Sequence, residues 1–310
     1  MKKGMLTVAT SIFALSAFLI GAPHLPVSAD GGKEKILYTQ YKPSQYDVKT
    51  ELYHVDPNGK NKTLLTKNGE GEEGDISPDG KQIVFHGEYG DGGLFTIPSS
   101  GGKVTKVNKE EYEPPTHRIP AWTPDKKKIV YFSPNNRAEK SPIQVINSNG
   151  TSDQTITTID AIKTQIKPTP DGKGIAYSYD SSSNKKDGGG DIYTINLNGS
   201  KKKNITHTSN IAETLLGWTI DHKKILFTDG KDLYTIRPDG TQKAKIVDLP
   251  SSIKNVTAAA FSPNGKEIAI ANQASEGKTT IYKLPVKSKG AQLKEIVKGN
   301  VALNDWAAIK

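Results

Sequence analysis

Short runs of apolar residues recur along the chain and are separated by polar segments of similar length. Each run mixes aliphatic, aromatic and β-branched residues, as in Ile-Val-Phe at positions 83–85 and Ile-Val-Tyr at 129–131. Runs of this kind predict β-strands with one or both faces buried. The segments between them contain Pro-Asp-Gly, Asn-Gly and Asp-Gly, which are typical of tight turns. The pattern therefore predicts an all-β chain of short strands.

A recurring phrase marks the repeat: an apolar residue, then Ser or Thr, then Pro and Asp. It begins at Ile76, Trp122 and Pro168, and weaker copies begin at Trp218 and Phe261. The fourth positions of the five copies are separated by 46, 46, 50 and 43 residues. Four of these positions are acidic and are predicted to be structural: Asp79, Asp125, Asp171 and Asp221. Each copy is followed by further strand patterns, and four strands in ~40–50 residues are typical of a propeller blade.

The two ends of the chain predict how the ring closes. The first strand pattern, at positions 36–38, matches the second strand of a repeat. Near the C-terminus, Trp306 lies 45 residues after Phe261, at the repeat position of Trp122 and Trp218. We therefore expect a six-bladed β-propeller of four-stranded antiparallel blades, with the C-terminal strand pairing into the first blade. The predicted blades are 33–68 with 302–310, 72–108, 119–158, 164–207, 213–249 and 256–298.

Trp122, Trp218 and Trp306 are the three tryptophans of the protein, and all occupy one repeat position. Equivalent residues in a ring are explained most simply by packing between neighbouring blades, so a structural role is favoured. Removing one core tryptophan is then expected to cost about 3–5 kcal/mol of stability. The alternative is a platform on which sugar rings or bases stack.

Residues 1–29 are predicted to be a cleavable secretory signal. Lys2 and Lys3 precede an apolar run that ends near Ile20, and a Val-Ser-Ala site follows. This order is typical of an exported protein, and an uncleaved membrane anchor is the alternative. No second long apolar stretch follows, so no transmembrane segment is expected in the mature chain. We expect residues 30–310 to form one domain, located outside the cell or on its envelope, and in the periplasm if the host has an outer membrane.

The composition narrows the chemistry and the compartment. The chain has no Cys, which excludes disulfides, a thiolate zinc site and a Cys nucleophile. Export without disulfides is more typical of bacteria than of the eukaryotic secretory route. The formal net charge is +9, or +7 without Lys2 and Lys3. This excess favours anionic surfaces; it is explained either by solubility of the turns or by a basic face that rests on anionic envelope polymers.

The repeated Ser-Pro-Asp-Gly phrase is followed by an apolar strand, then by Ile-Tyr and a Gly turn. In these features the chain resembles the TolB-like propeller family, over residues 33–310. The resemblance implies the six-bladed fold. Because TolB binds partner proteins of the cell envelope, it also implies a binding role. The α/β domain that precedes the propeller in TolB is not expected in this chain.

Motifs for catalysis or metal binding are few. The sequence lacks a Gly-x-Ser-x-Gly nucleophile motif and a phosphate-binding loop, and its histidines have no His-x-His or His-x-x-x-His spacing. One segment partly matches a calcium loop, with Asp180, Ser182, Asn184 and Asp191 at ligand positions, but Lys185 stands where Gly is needed. We predict no catalytic residue, no metal site and no cofactor, with Ca²⁺ as the alternative.

The connection between the second and third blades is the best candidate for recognition. It is long, irregular and rich in groups that bind ligands, and variable loops on a rigid scaffold often carry binding. The candidate binding residues come from this connection, from two hairpin loops and from one strand end: Tyr112, Glu113, His117, Arg118, Arg137, Asp187 and His86.

The sequence thus favours a secreted, monomeric, non-enzymatic scaffold that binds a protein or an anionic cell-envelope polymer. The alternative is a hydrolase or lactonase-like enzyme with a site at the channel mouth, built from carboxylates, Asn and His at the inner ends of strands. Nucleic acid is not expected as a partner, because export separates the protein from it.

Overall fold

The computed structural model describes residues 32–43, 48–66, 71–87, 92–108, 118–134, 140–160, 164–179, 190–208, 212–274, 278–286 and 292–310. Within these residues the chain forms 24 β-strands, arranged as six four-stranded antiparallel sheets. No helix in this part of the chain is long and apolar enough to cross a membrane. The predicted signal, residues 1–29, lies outside the described residues.

Each sheet is one blade of a six-bladed β-propeller, which confirms the predicted fold class. The first blade consists of β1 (Lys33–Pro43), β2 (Val48–Val55), β3 (Thr63–Leu64) and β24 (Val301–Ile309). The second consists of β4 (Glu72–Ile76), β5 (Gln82–Gly87), β6 (Gly93–Pro98) and β7 (Thr105–Lys106). The third consists of β8 (Arg118–Trp122), β9 (Lys128–Phe132), β10 (Ser141–Asn147) and β11 (Gln154–Ile159).

The remaining three blades follow in chain order, each with its first strand at the channel. The fourth blade consists of β12 (Thr164–Pro168), β13 (Gly174–Tyr179), β14 (Ile192–Asn196) and β15 (Lys203–Asn204). The fifth consists of β16 (Thr214–Trp218), β17 (Ile225–Thr228), β18 (Leu233–Ile236) and β19 (Ala244–Val247). The sixth consists of β20 (Val256–Phe261), β21 (Glu267–Gln273), β22 (Thr279–Pro285) and β23 (Lys294–Gly299).

The first blade closes the ring because it contains strands from both ends of the chain, in the order β24-β1-β2-β3. β24 is antiparallel to β1, and Trp306 lies opposite Ile36. Trp122 has the same register in the third blade, where it lies opposite Ile129. The predicted closure by the C-terminal strand is therefore confirmed.

The core consists of six clusters of buried apolar side chains, one between each pair of neighbouring blades. Between the first and second blades, for example, Leu37 and Leu52 pack with Phe85 and Phe95. Each blade has two apolar faces, and only a neighbouring blade covers either of them. The strand pattern of the repeat therefore requires a closed ring.

The repeated phrase forms the turn between the first and second strands of a blade. In the second blade, Oδ1 of Asp79 accepts hydrogen bonds from the Ser77 hydroxyl at 2.7 Å and from the backbone N–H of Lys81 at 3.3 Å. Gly80 has a φ of +71°, and a Cβ there would lie 2.2 Å from the carbonyl oxygen of Ala308. The same carboxylate bonds recur in the next three blades, at Asp125, Asp171 and Asp221.

Candidate functional site

The same phrase builds an apolar wall at one end of the central channel. Its first position supplies one side chain from each blade: Ile76, Trp122, Pro168, Trp218, Phe261 and Trp306. Its third position supplies a second ring: Pro78, Pro124, Pro170, Ile220, Pro263 and Ala308. We call these twelve residues the funnel. The funnel arises from the repeat itself: in five blades the phrase places both positions against the channel, and in the first blade the equivalent residues of β24, Trp306 and Ala308, do so.

The funnel encloses a cavity of about 330 Å³. Trp122 and Trp306 are 6% and 3% exposed, whereas Trp218 is half-buried. The indole N–H groups of all three are buried and have no hydrogen-bond partner among the described residues. Each tryptophan also packs with a cluster between blades. The tryptophans thus lie in the core and in the funnel wall at once, where they combine apolar surface with hydrogen-bond donors.

Three charged residues follow the funnel along the channel, and we call them the waist: Asp75, Lys167 and Asp305. Lys167 lines both the funnel cavity and a cavity on the other side, and its Nζ lies 3.5 Å from Oδ1 of Asp75. Oδ2 of Asp75 accepts a hydrogen bond from the N–H of Trp122 at 2.9 Å. Oδ2 of Asp305 accepts the equivalent bond from Ile76 at 3.2 Å. The two carboxylates therefore join the first blade to the second and the second to the third.

The carboxylates of the waist are largely removed from water and lie near each other. Burial raises the pKa of Asp75. Burial and the charge of Asp75 raise the pKa of Asp305 to about 6, although Lys167 acts in the opposite direction. The waist therefore changes its charge in the mildly acidic range.

A second cavity, of about 380 Å³, lies on the other side of the waist, and we call it the polar chamber. Its wall includes Tyr41, Glu73, Gln165 and Lys167. Glu73 and Ile119 occupy equivalent positions in neighbouring blades, and both have positive φ, 56° and 54°. Oε2 of Glu73 accepts a hydrogen bond from the N–H of Ile119 at 2.8 Å. Positive φ is costly for a β-branched residue, and such strain is common at functional sites.

Glu72 and Glu73 are neighbours whose surroundings move their pKa values in opposite directions. Nδ1 of His86 and Nη1 of Arg118 lie 3.2 Å and 2.9 Å from Oε1 of Glu72. Burial acts to raise the pKa of Glu72, but His86 and Arg118 outweigh it and the pKa is lowered. Burial and the charge of Glu72 raise the pKa of Glu73. Two neighbouring carboxylates whose pKa values are shifted in opposite directions are typical of acid–base sites.

The structure brings two of the predicted binding residues together, because His86 and Arg118 meet on Glu72. His86 is 1% exposed, and its Nε2 has no partner among the described residues. The other candidates lie outside the described residues: Tyr112, Glu113, His117, Arg137 and Asp187. Their part in binding stays a prediction.

The segment that partly matches a calcium loop is described only at Asp191. Its carboxylate accepts hydrogen bonds from Asn204 at 2.6 Å and from the N–H and hydroxyl of Thr208 at 2.9 Å and 2.8 Å. These bonds join Asp191, which directly precedes β14, to β15 and to the connection that follows it. Among the described residues, no group of three or more His, Asp or Glu side chains is arranged to hold a metal ion.

The charged residues of the channel were not among the sequence candidates, although three of them have a sequence signal. Asp75, Lys167 and Asp305 each stand directly before the first position of the phrase, where the third and sixth blades have Ala121 and Ala260. A charge at a repeat position that is small and apolar elsewhere marks a departure from the repeat. Glu72 and Glu73 have no comparable signal, because strands often begin with charged residues.

No family model matches the chain, and no curated protein matches it by sequence. Its fold does match solved structures. TolB from Acinetobacter baumannii matches with a TM-score of 0.65 and 16% identity, over 88% of this chain and 66% of that one. TolB from Agrobacterium tumefaciens matches with a TM-score of 0.64 and 16% identity, over 88% of this chain and 93% of that one. The chain has the TolB propeller fold.

The predicted resemblance to TolB is thus confirmed for the fold, and the chain spans about two thirds of the A. baumannii protein. An oligogalacturonate lyase in complex with manganese also matches, with a TM-score of 0.57 and 12% identity over 86% of each chain. Identities this low show the fold alone. Solved structures with this fold thus include both TolB and a lyase, so the fold alone does not specify a function.

Proposed function

We propose that this protein is an exported, non-enzymatic binding scaffold that seats an apolar segment of a partner protein in the funnel. The observation that carries the proposal is the funnel wall, in which all six blades place apolar side chains around about 330 Å³. Ligand pockets commonly have volumes of ~300–1,000 Å³ and mostly apolar walls. The predicted signal and the fold shared with TolB support a place on the cell envelope or outside the cell.

The funnel specifies what the partner segment must offer. Its apolar side chains would displace water from the rings of Trp122, Trp218 and Trp306, at about 25 cal/mol per Å² buried. The indole N–H groups are buried, so the tryptophans offer the segment their apolar ring surface rather than hydrogen-bond donors. Exposed lysines directly follow the turns and favour acidic residues beside the apolar segment: Lys81, Lys127, Lys173, Lys223 and Lys266.

Replacing Ile220 by Asp tests the funnel. Ile220 is half-buried in the funnel wall, so the change puts a carboxylate there without removing a fully buried side chain. We expect the Ile220→Asp variant to bind its partner at least about tenfold more weakly, because seating an apolar segment would bury an unpaired charge. The measurement is capture by the signal-free protein from host envelope and extracellular fractions at high salt, followed by titration of the captured protein.

The matched control is Leu64→Asp, the same kind of change at an apolar residue that is 44% exposed on β3, away from the channel. This variant is expected to bind the partner like the wild type. Equal binding of the partner by the wild type, Ile220→Asp and Leu64→Asp would show that the partner binds outside the funnel. Failure of the wild type to capture any partner at high salt would overturn the proposal.

A hydrolase is the second candidate function, because Glu72 and Glu73 have opposite pKa shifts beside the polar chamber. In this alternative Glu73 acts as the general acid and general base of hydrolysis. Glu72 stays ionised because it forms an ion pair with Arg118. The fold shared with an oligogalacturonate lyase supports a substrate site in such a propeller.

The alternative predicts that the wild type turns over ester or lactone substrates and that Glu73→Gln lowers kcat by about 10²-fold or more. Glu295→Gln, at an exposed position on β23, is expected to keep the wild-type rate. A steady-state assay with both substrate classes measures these rates. No turnover by the wild type, or an equal rate in Glu73→Gln, would exclude this mechanism.

A further inference from the structure

A pocket distinct from the polar chamber opens beside the funnel, between the fourth and fifth blades, and we call it the inter-blade pocket. It has a volume of about 340 Å³ and shares Pro170, Trp218 and His222 with the wall of the funnel cavity. Its remaining wall includes Lys173 and Lys201. The inter-blade pocket therefore combines an aromatic ring with cationic side chains, whereas the funnel is apolar.

The turn of the fifth blade departs from the repeat at this pocket. Ile220 and His222 stand where the second, fourth and sixth blades have Pro and Gly. His222 has a φ of 59°, in the left-handed region that favours Gly. Lys126 of the third blade has the same conformation, and its Nζ pairs with Asp79 at 2.6 Å. The turn sets this conformation, since the N–H of His222 donates to the carbonyl oxygen of Thr219 at 2.8 Å as in the other blades, but the His222 side chain has no hydrogen bond or ion pair with a described residue.

The charges of the inter-blade pocket favour an anion. Lys173 and Lys201 are exposed, and neither side chain forms a salt bridge or a hydrogen bond with the residues that the structure describes. The carboxylate in the wall, Asp171, already accepts hydrogen bonds through Oδ1 from Thr169 at 2.6 Å and from the N–H of Lys173 at 3.0 Å. Because the wall has two lysines and one carboxylate, and that carboxylate already accepts hydrogen bonds, the pocket keeps a net positive charge for an anionic ligand.

Trp218 supplies the surface for a ring. It is half-buried, whereas Trp122 and Trp306 are buried, so it presents more of its indole to a ligand. The polar side chains of Thr194 and Asn196 also lie in the pocket wall. A sugar ring has apolar C–H faces that pack on an aromatic ring and hydroxyl groups that bond to polar side chains.

We propose that the inter-blade pocket binds an anionic saccharide unit, a sugar that carries a phosphate or a carboxylate group. The sugar ring packs on Trp218, and its anionic group lies between Lys173 and Lys201 with His222 beside it. A sugar accounts for the aromatic ring and the neutral polar side chains, which a simple acidic peptide would not need. The site is separate in chemistry from the funnel and does not depend on the protein partner proposed for it.

Titration of the purified, signal-free protein tests this site, with isothermal calorimetry and tryptophan fluorescence at low salt. The probes are glucose 6-phosphate, glucuronate, glucose, inorganic phosphate, alginate and poly-glutamate. We expect glucose 6-phosphate to bind at least about tenfold more tightly than glucose or phosphate, because the ring and the charged hydrogen bonds both contribute. The double variant Lys173→Gln/Lys201→Gln is expected to lose about tenfold in this affinity.

The matched control is Lys81→Gln/Lys103→Gln, which removes the same charges at the equivalent, exposed positions of the second blade. It is expected to keep the affinity, and all variants are expected to melt like the wild type. Tighter binding of alginate than of glucuronate would assign the site to a polymer. Equal affinities for alginate and glucuronate would assign the site to a free sugar. Poly-glutamate binding as tightly as the sugars, equal losses in both double variants, or no binding of any anionic sugar would overturn the proposal. Because no captured protein is involved, these outcomes are independent of the funnel test.

Discussion

Deleting residues Leu303 to Lys310 is expected to abolish the folded state. The deletion removes most of β24, the channel-side strand of the first blade, together with the buried side chains of Leu303, Trp306 and Ala308. It also removes Asp305, which joins the first blade to the second. Truncating one buried Leu or Trp costs about 2–5 kcal/mol, and a domain has only about 5–15 kcal/mol of stability. Losing the strand exceeds that reserve and exposes the edge of β1.

Circular dichroism and size-exclusion chromatography of the truncated protein measure this loss. Deletion of Lys310 alone is the control, because it leaves β24 and its buried side chains in place. A synthetic peptide of residues 300–310 is expected to restore part of the sheet signal by pairing with β1. A truncated chain that melts at the wild-type temperature would show that β24 does not hold the ring together.

The fold is predictable from the sequence because each blade repeats local chemistry. The turn at Ser77, Asp79 and Gly80 is stabilised by bonds within a few residues, so its Ser or Thr and its Asp or Asn recur in all five copies even where Pro and Gly are replaced. Closure of the ring is a long-range feature, yet Trp306 reveals it. Since Trp306 occupies the repeat position of Trp122, the repeat itself specifies that the C-terminal strand belongs to the first blade.

The site is less predictable because its residues come from different blades. Asp75 and Lys167 are 92 residues apart, and Asp75 and Asp305 are 230 apart. Alignment of the repeats tells which positions meet at the channel, but it does not tell that Lys167 contacts Asp75 rather than a solvent ion. The tryptophans show a second limit. Packing and ligand contact require the same apolar residue type, so sequence alone could not show that Trp218 takes part in both a blade interface and two cavity walls.

Lowering the pH from about 7.5 to about 5 is expected to stabilise the protein through Asp305, while His54, whose pKa is lowered mainly by burial, acts in the opposite direction over the same interval. The pKa of Asp305 is about 6 in the folded state, and an unfolded Asp has a pKa of about 4. Between these values the folded state binds more protons, so the free energy of unfolding rises as the pH falls. For Asp305 alone the gain is on the order of 1 kcal/mol over this interval. Asp75 and Glu73, whose pKa values are also raised, act in the same direction.

Turn carboxylates act in the opposite direction at lower pH. Hydrogen bonds from Thr219 and Thr241 lower the pKa values of Asp221 and Asp239, so their contribution is present above about pH 4 and is lost below it. Stability should therefore fall below about pH 4. Urea unfolding at several pH values measures it.

Two substitutions distinguish the pH-dependent stability contributed by the waist from that contributed by the turn carboxylates. The side chain of Asp305→Asn cannot titrate, so we expect this variant to lose on the order of 1 kcal/mol of the stability change that wild-type Asp305 contributes between about pH 7.5 and pH 5. Asp239→Asn removes a carboxylate whose pKa is lowered, and it is expected to keep the whole difference. If Asp305→Asn keeps the wild-type difference as well, the proton is bound outside the waist. The expected result instead means that ionised Asp305 destabilises the ring at neutral pH, chiefly because it is buried and also because Asp75 lies nearby.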